Sequence, residues 1–340
     1  MRYAFLKILS FPLECVLRLR HFLFDKGFLT SRAGVLPTLV IGNLSLGGTG
    51  KTPFSAWVCR NLEGSKKVAL LSRGYGRKGK GFILVKSDAH PDTVGDEPIM
   101  QSLNLPQIGV AVCANRLKGI EELNKRGYQL VVLDDAFQHR RLNGKMNILL
   151  TRADQPFWKD HLFPFGTLRD IVAAARRAEV LVVTNCANPP TQEFVEQAES
   201  YGFKNGCTLF FTGLEYLAPY DARTSEVVEM NSTSAFGVCG IANDTGFKQH
   251  VFSHCNMSGY RRFGDHHRYT DADFADLPEG TNCIITTEKD AVKLRWLPSL
   301  KRVRIIALPI RIKFIAGEDD LKILLSQRLT HPQQAVSNEY

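Results

Sequence analysis

The stretch LPTLVIGNLSLGGTGKTPFSAW constrains the fold of this chain more than any other. Residues 36–44 are an apolar run with the character of a buried strand, residues 52–62 read as a helix, and GGTGKT joins them. A glycine-rich loop between strand and helix turns its backbone N–H groups onto phosphate oxygens, with the positive end of the helix dipole behind them. The residues in position to do so are Gly47, Gly48, Thr49, Gly50, Lys51 and Thr52. Lys51 would reach the β- and γ-phosphates and the Thr52 hydroxyl would ligate Mg²⁺. The strict P-loop pattern wants glycine at 45, where this chain has Ser45; the strand–loop–helix context argues for a P-loop regardless.

The pattern that follows alternates strand and helix. Apolar runs at 67–74, 108–115, 128–136, 146–152 and 179–185 read as strands, with helices expected over 116–126 and 168–178. Continuous apolar runs separated by helices indicate a parallel sheet covered on both faces. The expected fold is α/β: a P-loop NTPase-like parallel sheet covered by helices, a second, smaller α/β domain and an apolar N-terminal helix. Asn188-Pro189-Pro190 suggests a break. The expected division is an N-terminal helix over 1–30, a core over 31–188, a linker or ribbon over 189–230 and a second domain over 231–309. Within the linker, 191–203 reads as a helix; the segment 310–330 is expected to pack back on the core.

A P-loop needs an acid at the end of a neighbouring strand to hold its metal. LVVLDDAFQH supplies Asp134 and Asp135 at such an end, where α/β sheets bind ligands. GDEP, read as a loop, offers Asp96 as a general base and Glu97 as a further metal group. SRGYGR places Arg73, Arg77 and the Tyr75 hydroxyl within reach of phosphate, and FGDHHRYT sets Asp265 beside His266 and His267. A carboxylate beside a histidine can orient it for proton transfer. His250 and His254, at i and i+4 with Cys255 adjacent, lack further ligands at metal spacing and read as structural.

The 340 residues suffice for two domains, and a formal charge of +9 suits anionic partners. RNA- and DNA-recognition motifs are absent, so nucleic acid is not an expected partner. Eight scattered cysteines without a CxxC pair speak for reduced thiols in a cytosolic setting. Up to Arg32, six basic residues stand against two acids among Leu, Phe, Val and Ile. That is the composition of a helix lying in a lipid interface rather than an uninterrupted span.

The motifs NLSLGGTGKTP, SRGYGR, GDEP, DDAFQHRRL, PFGTLRD, FGDHHRYT and TTEKDAVKL, in this order, resemble the tetraacyldisaccharide 4′-kinases. The resemblance runs from the N-terminus to about residue 310. It implies ATP and Mg²⁺, and transfer of the γ-phosphate to the 4′-hydroxyl of an acylated disaccharide 1-phosphate during lipid A synthesis. It further implies a catalytic set of Asp96, His266 and Lys51, a dyad of Asp96 and His266 formed across the cleft on domain closure, and metal binding by Thr52, Glu97, Asp134 and Asp135. Arg73, Tyr75, Arg116, Gln138 and Arg169 are the expected substrate contacts. The partners implied are the lipid substrate and the cytoplasmic face of the bacterial inner membrane, with the N-terminal helix as a peripheral or anchoring element. The chain departs from the family in Ala136, where glycine is usual and a positive φ would be costly, and in Asp170, read as an exposed acid where glutamate is common. TTEKD has no chemistry legible in the sequence.

Three other classes fit parts of the pattern. A P-loop switch or metal-chaperone GTPase would want [NT]-K-x-D, but TEKD carries its lysine one place late. A membrane-associated partitioning ATPase would want a lysine before the glycines, where Leu46 stands. A membrane-docking module that binds nucleotide without turnover differs from a kinase only in its lack of phosphoryl transfer.

Overall fold

The computed structural model describes residues 2–64, 66–200, 207–230 and 234–330. The end of the helix expected over 191–203, the start of the domain expected from 231 and the polar tail after 330 lie partly or wholly outside them.

Among the described residues, nine strands form one sheet. In spatial order they are Ile310–Ala316, Thr208–Tyr216, Val180–Thr184, Met146–Arg152, Thr38–Asn43, Leu130–Leu133, Val68–Ser72, Gly109–Val112 and Ile83–Leu84. Neighbours are parallel except at the two edges, where Ile310–Ala316 and Ile83–Leu84 run antiparallel. Every residue of Thr38–Asn43, Leu130–Leu133 and Val180–Thr184 is buried, as strands covered on both faces require. Thr38–Asn43 lies between Met146–Arg152 and Leu130–Leu133, so the loop after it opens beside Asp134 and Asp135.

A second sheet of five strands has the order Tyr220–Asp221, Arg304–Leu308, Cys283–Thr287, Ser234–Cys239, Asn256–Arg262. It is parallel except at Tyr220–Asp221. The domains meet where the helices Asp96–Asn104 and Glu288–Leu294 pack together, and Val292 joins the apolar cluster of the first domain alongside Ile99 and Trp57.

The structure departs from the sequence reading in several places. Residues 208–216, expected in a linker or ribbon, form a strand of the main sheet, pairing with Val180–Thr184 and with Ile310–Ala316. The strand is mostly apolar and only partly buried, one place in from the edge of the sheet. Leu321, Leu325 and Leu329 of the helix Glu318–Thr330 belong to the same core as Trp57 and Ile312. The segment 168–178, expected as an α-helix, holds only the 3₁₀ turn Val172–Arg177, too short to repay α-helix nucleation. GDEP is not a loop throughout: Gly95, at φ 101°, caps the helix Asp96–Asn104, so both acids sit in its first turn.

The N-terminal helix spans Arg2–Asp25 and is amphipathic rather than simply apolar. His21 and Phe24 are buried against the core, whereas Phe11, Val16, Leu19 and Phe22 are exposed. No helix among the described residues is long and apolar enough to cross a membrane.

Candidate active site

Gly47 and Gly50 have φ of 90° and 75°, and a side chain at Gly47 or Gly48 would meet nothing within 4 Å, so the loop is an open cradle of backbone. Gly50 starts the helix Lys51–Leu62 without a side-chain cap, leaving its first N–H groups to an external acceptor. Thr49 is buried, yet its Oγ1 has no hydrogen-bond partner among the described residues. Ser45 needs no positive φ: it lies in extended backbone bridged to Leu168, while Leu46 N–H donates to Thr167 O at 2.7 Å.

Beyond the adjacent strand, Asp134 is buried and accepts from Ser55 Oγ at 3.1 Å. Burial, then the charges of Glu97 and Asp135, push its carboxyl up to about 7 against Lys51 and Ser55. Glu97 and Asp134 line one small cavity with Ser72 and Gln101. A buried carboxylate, Asp134, beside the half-exposed carboxylate of Glu97 is a hard-cation donor set. Among the described residues, however, no three Asp, Glu, His or Cys are arranged to hold a metal by themselves. Asp135 faces cations instead, with Lys51 Nζ at 3.7 Å and Arg169 Nη1 donating at 3.0 Å. Asp135 also bears the left-handed φ of this turn, 50°, while Ala136 donates its N–H to Ile41 O at 3.0 Å. The absence of glycine at 136 therefore carries no backbone penalty.

Asp96 and His266, 170 positions apart in the sequence, meet across the domain interface with Oδ2 and Nδ1 3.4 Å apart. The pair expected to meet on domain closure is in contact here, and other bonds cross the same interface: Arg268 donates to Gly76 O at 3.1 Å and Arg295 to Ser87 O at 3.0 Å. Burial alone would raise the Asp96 carboxyl, but the His266 hydrogen bond and the ammonium groups of Lys293 and Lys289 hold it well below the usual carboxylate range. The Asp96 bond pushes the His266 imidazole up, against burial and Lys289. His266 has φ 56°, uncommon away from glycine, and the Tyr75 ring lies 5.2 Å from its own.

TTEKDAVKL acquires a role in this geometry. Thr287 caps the helix Glu288–Leu294, and Asp290 accepts from Gly240 N at 2.8 Å, locking helix to sheet. Lys293 Nζ lies 3.5 Å from Asp96 Oδ2 and Lys289 Nζ 3.5 Å from Glu97 Oε1. Sequence reasoning missed both lysines. Their i, i+4 spacing was a signal, but nothing in the sequence says which residues face that side of the helix.

Of the expected substrate contacts, Arg73 and Tyr75 are exposed on the loop after Val68–Ser72. Arg116 is buried, and its Nη1 donates to Cys113 O at 3.1 Å and Ala114 O at 3.2 Å, so it frames its loop. Gln138 and Arg169 gather at the end of the P-loop strand, Gln138 Nε2 donating to Asn43 O at 2.9 Å and Arg169 pairing with the Asn43 side chain. Burial, then the charges of Arg116, Arg141, Arg20 and Arg73, drive the neighbouring His139 down to about 4. Asp170, read as exposed, is wholly buried: its Oδ1 lies 2.6 Å from His21 Nε2 on the N-terminal helix. His250 stacks between Tyr216 and His254.

The family model for tetraacyldisaccharide-1-P 4′-kinase (LpxK) matches residues 2–330. A tetraacyldisaccharide 4′-kinase of Flavobacterium johnsoniae is 36% identical over 318 residues, covering 91% of this chain and 92% of the relative. Another, of Phocaeicola vulgatus, is 35% identical over 327 residues, covering 89% and 88%. A crystal structure of LpxK from Aquifex aeolicus in complex with ATP superposes with a TM-score of 0.78 at 29% identity, covering 97% of this chain and all of that one. A P-loop, an acid pair beside it and a dyad closed from a second domain thus occur in a chain that belongs to the tetraacyldisaccharide-1-P 4′-kinase family.

Proposed function

We propose that this chain transfers the γ-phosphate of ATP to the 4′-hydroxyl of a tetraacyldisaccharide 1-phosphate, a step of lipid A synthesis. The observation that carries the reading is Asp96, 3.4 Å from His266 and in the same inter-domain region as the P-loop acids. A phosphoryl-transfer enzyme works mainly by positioning and charge neutralisation. The glycine cradle and the free helix N-terminus would hold the triphosphate, with Lys51 beside its β- and γ-phosphates. Asp134 and Glu97, with the Thr52 hydroxyl, would hold Mg²⁺, which would supply charge neutralisation for the triphosphate; so few protein ligands suit a hard cation that keeps part of its hydration. Asp135 sits beside this set, tied to Lys51 and Arg169. Asp96, held in place by His266, would accept the proton of the attacking hydroxyl as the O–P bond forms. Arg73, Gln138 and Arg169, with Tyr75 over His266, would surround the acceptor, and Arg116 would hold the loop beside them.

We also propose peripheral docking of the N-terminal helix on the anionic, cytoplasmic leaflet of the inner membrane. It exposes Phe11, Val16, Leu19 and Phe22 beside Arg18, and Phe28 follows in the turn. Flotation tests this: wild type should bind anionic phospholipid vesicles more than zwitterionic ones, and Phe11→Ser with Phe28→Ser should abolish binding.

The reaction is tested by offering γ-labelled Mg·ATP and a tetraacyl disaccharide 1-phosphate in detergent micelles. Label should enter the lipid and fall about 10²–10⁴-fold in Asp96→Asn. ATP hydrolysis without labelled lipid would leave a nucleotide-binding protein and remove the kinase.

A further inference from the structure

We infer that Lys289 is a positioning residue, one that fixes the ring orientation and tautomer of His266 so that Nδ1–H faces Asp96. The inference rests on the kinase reading for its kinetic consequence but not for its geometry. Lys289 Nζ lies 3.2 Å from His266 Nε2, 2.9 Å from Asp265 Oδ1 and 3.5 Å from Glu97 Oε1. Its side chain is only 14% exposed. An amine held 2.9 Å from the Asp265 carboxylate is an ammonium, and an ammonium only donates. His266 Nε2 must then accept, which leaves the ring proton on Nδ1, the atom 3.4 Å from Asp96 Oδ2.

The other groups facing the ring do not impose this choice. Asp265 Oδ2 is 3.8 Å from Nε2, beyond hydrogen-bond reach, and its other oxygen takes the Lys289 ammonium and the His266 backbone N–H at 3.0 Å. Tyr75 presents its ring. Lys293 contacts Asp96, Asp290 and the His267 carbonyl rather than the imidazole. Without Lys289, Asp265 would be the nearest partner of Nε2, favouring the opposite tautomer and turning the N–H away from Asp96. A histidine partner that sets tautomer acts on the reacting carboxylate through the ring, much as partners of metal-bound histidines do.

The test uses full-length enzyme with ¹⁵N-labelled histidine, comparing wild type with Lys289→Met and Lys289→Arg. Long-range ¹H–¹⁵N spectra separate the two neutral tautomers, and His266→Gln identifies the resonances among nine histidines. Wild type and Lys289→Arg should show Nδ1–H at His266, and Lys289→Met should move toward Nε2–H. In the kinase assay, kcat should fall about tenfold to a hundredfold in Lys289→Met with KM for ATP within about twofold, and Lys289→Arg should recover most of it. An Nε2–H tautomer in wild type, an unchanged tautomer in Lys289→Met, or unchanged kcat would each overturn the inference. If wild type phosphorylates no lipid but shows the expected tautomer shift, the kinase reading fails and the assignment of Lys289 to the ring stands.

Discussion

Replacing Asp170 with alanine should uncouple the N-terminal helix from the sheet. The carboxylate is wholly buried; it lies 2.6 Å from His21 Nε2 and accepts from its own neighbour, Ile171 N–H, at 2.9 Å. Gln138 Nε2 stands 3.5 Å and Arg177 Nη2 3.9 Å from its second oxygen. Arg177 is itself seated over the Phe137 ring and bonded to Phe137 O, so it cannot follow the lost charge into solvent without giving these up. Truncating one member of such a buried set costs about 3–5 kcal/mol, because the remaining members stay buried and unpaired. At roughly 2–4 °C per kcal/mol for a domain of this size, the midpoint of the P-loop domain should drop by about 6–20 °C. Calorimetry at neutral pH on wild type, Asp170→Ala and the near-isosteric Asp170→Asn reads the effect, with Asn intermediate. Burial would raise this carboxyl, but the His21 bond, the charges of His21 and Arg177 and the Ile171 N–H place it below its ordinary value. Its stabilisation is therefore complete above the unfolded value of about 4 and lost as pH falls toward the lower folded value. The gap between wild type and Asp170→Ala should narrow only below that pH. An alanine variant melting within about 1 °C of wild type at neutral pH would refute the reasoning.

Asp134→Asn should raise the Mg²⁺ concentration for half-maximal activity about tenfold or more while leaving the fold intact, as Mg²⁺ titration of the kinase assay would show. Leu321→Ala, in a fully buried side chain of the last helix, should cost about 3–5 kcal/mol by denaturant unfolding. Ala136→Gly should leave activity unchanged and lower stability by about 0.4–1 kcal/mol, since the left-handed residue of that turn is Asp135; a gain in either would show that position 136 is strained.

What the sequence makes legible is what is local. The glycine loop, the acids ending LVVL and the fully apolar strands follow from composition and spacing, and the structure puts them side by side. Residues 208–216 were misread because their antiparallel partner lies about a hundred positions away, and no local pattern announces the pairing. Asp170 looked exposed because its burial depends on His21 in a helix far back in the chain. Lys289 and Lys293 offer only their spacing for the same reason, since their meaning lies in carboxylates of the other domain.

The pairing of Thr208–Tyr216 with Ile310–Ala316 has a mechanical consequence. Tyr216 stands opposite Ile310, and Leu217 N–H donates to Pro309 O at 2.9 Å, so the chain leaves the first domain and re-enters it at one point. The second domain is thus an inserted unit carried on a two-stranded stalk. Such a stalk resists stretching and swivelling but can flex about one axis, so the inserted unit should swing along a single arc. A swing would part His266 from Asp96 and Glu288–Leu294 from Asp96–Asn104, so alignment of the pair depends on the stalk and on that helix contact together.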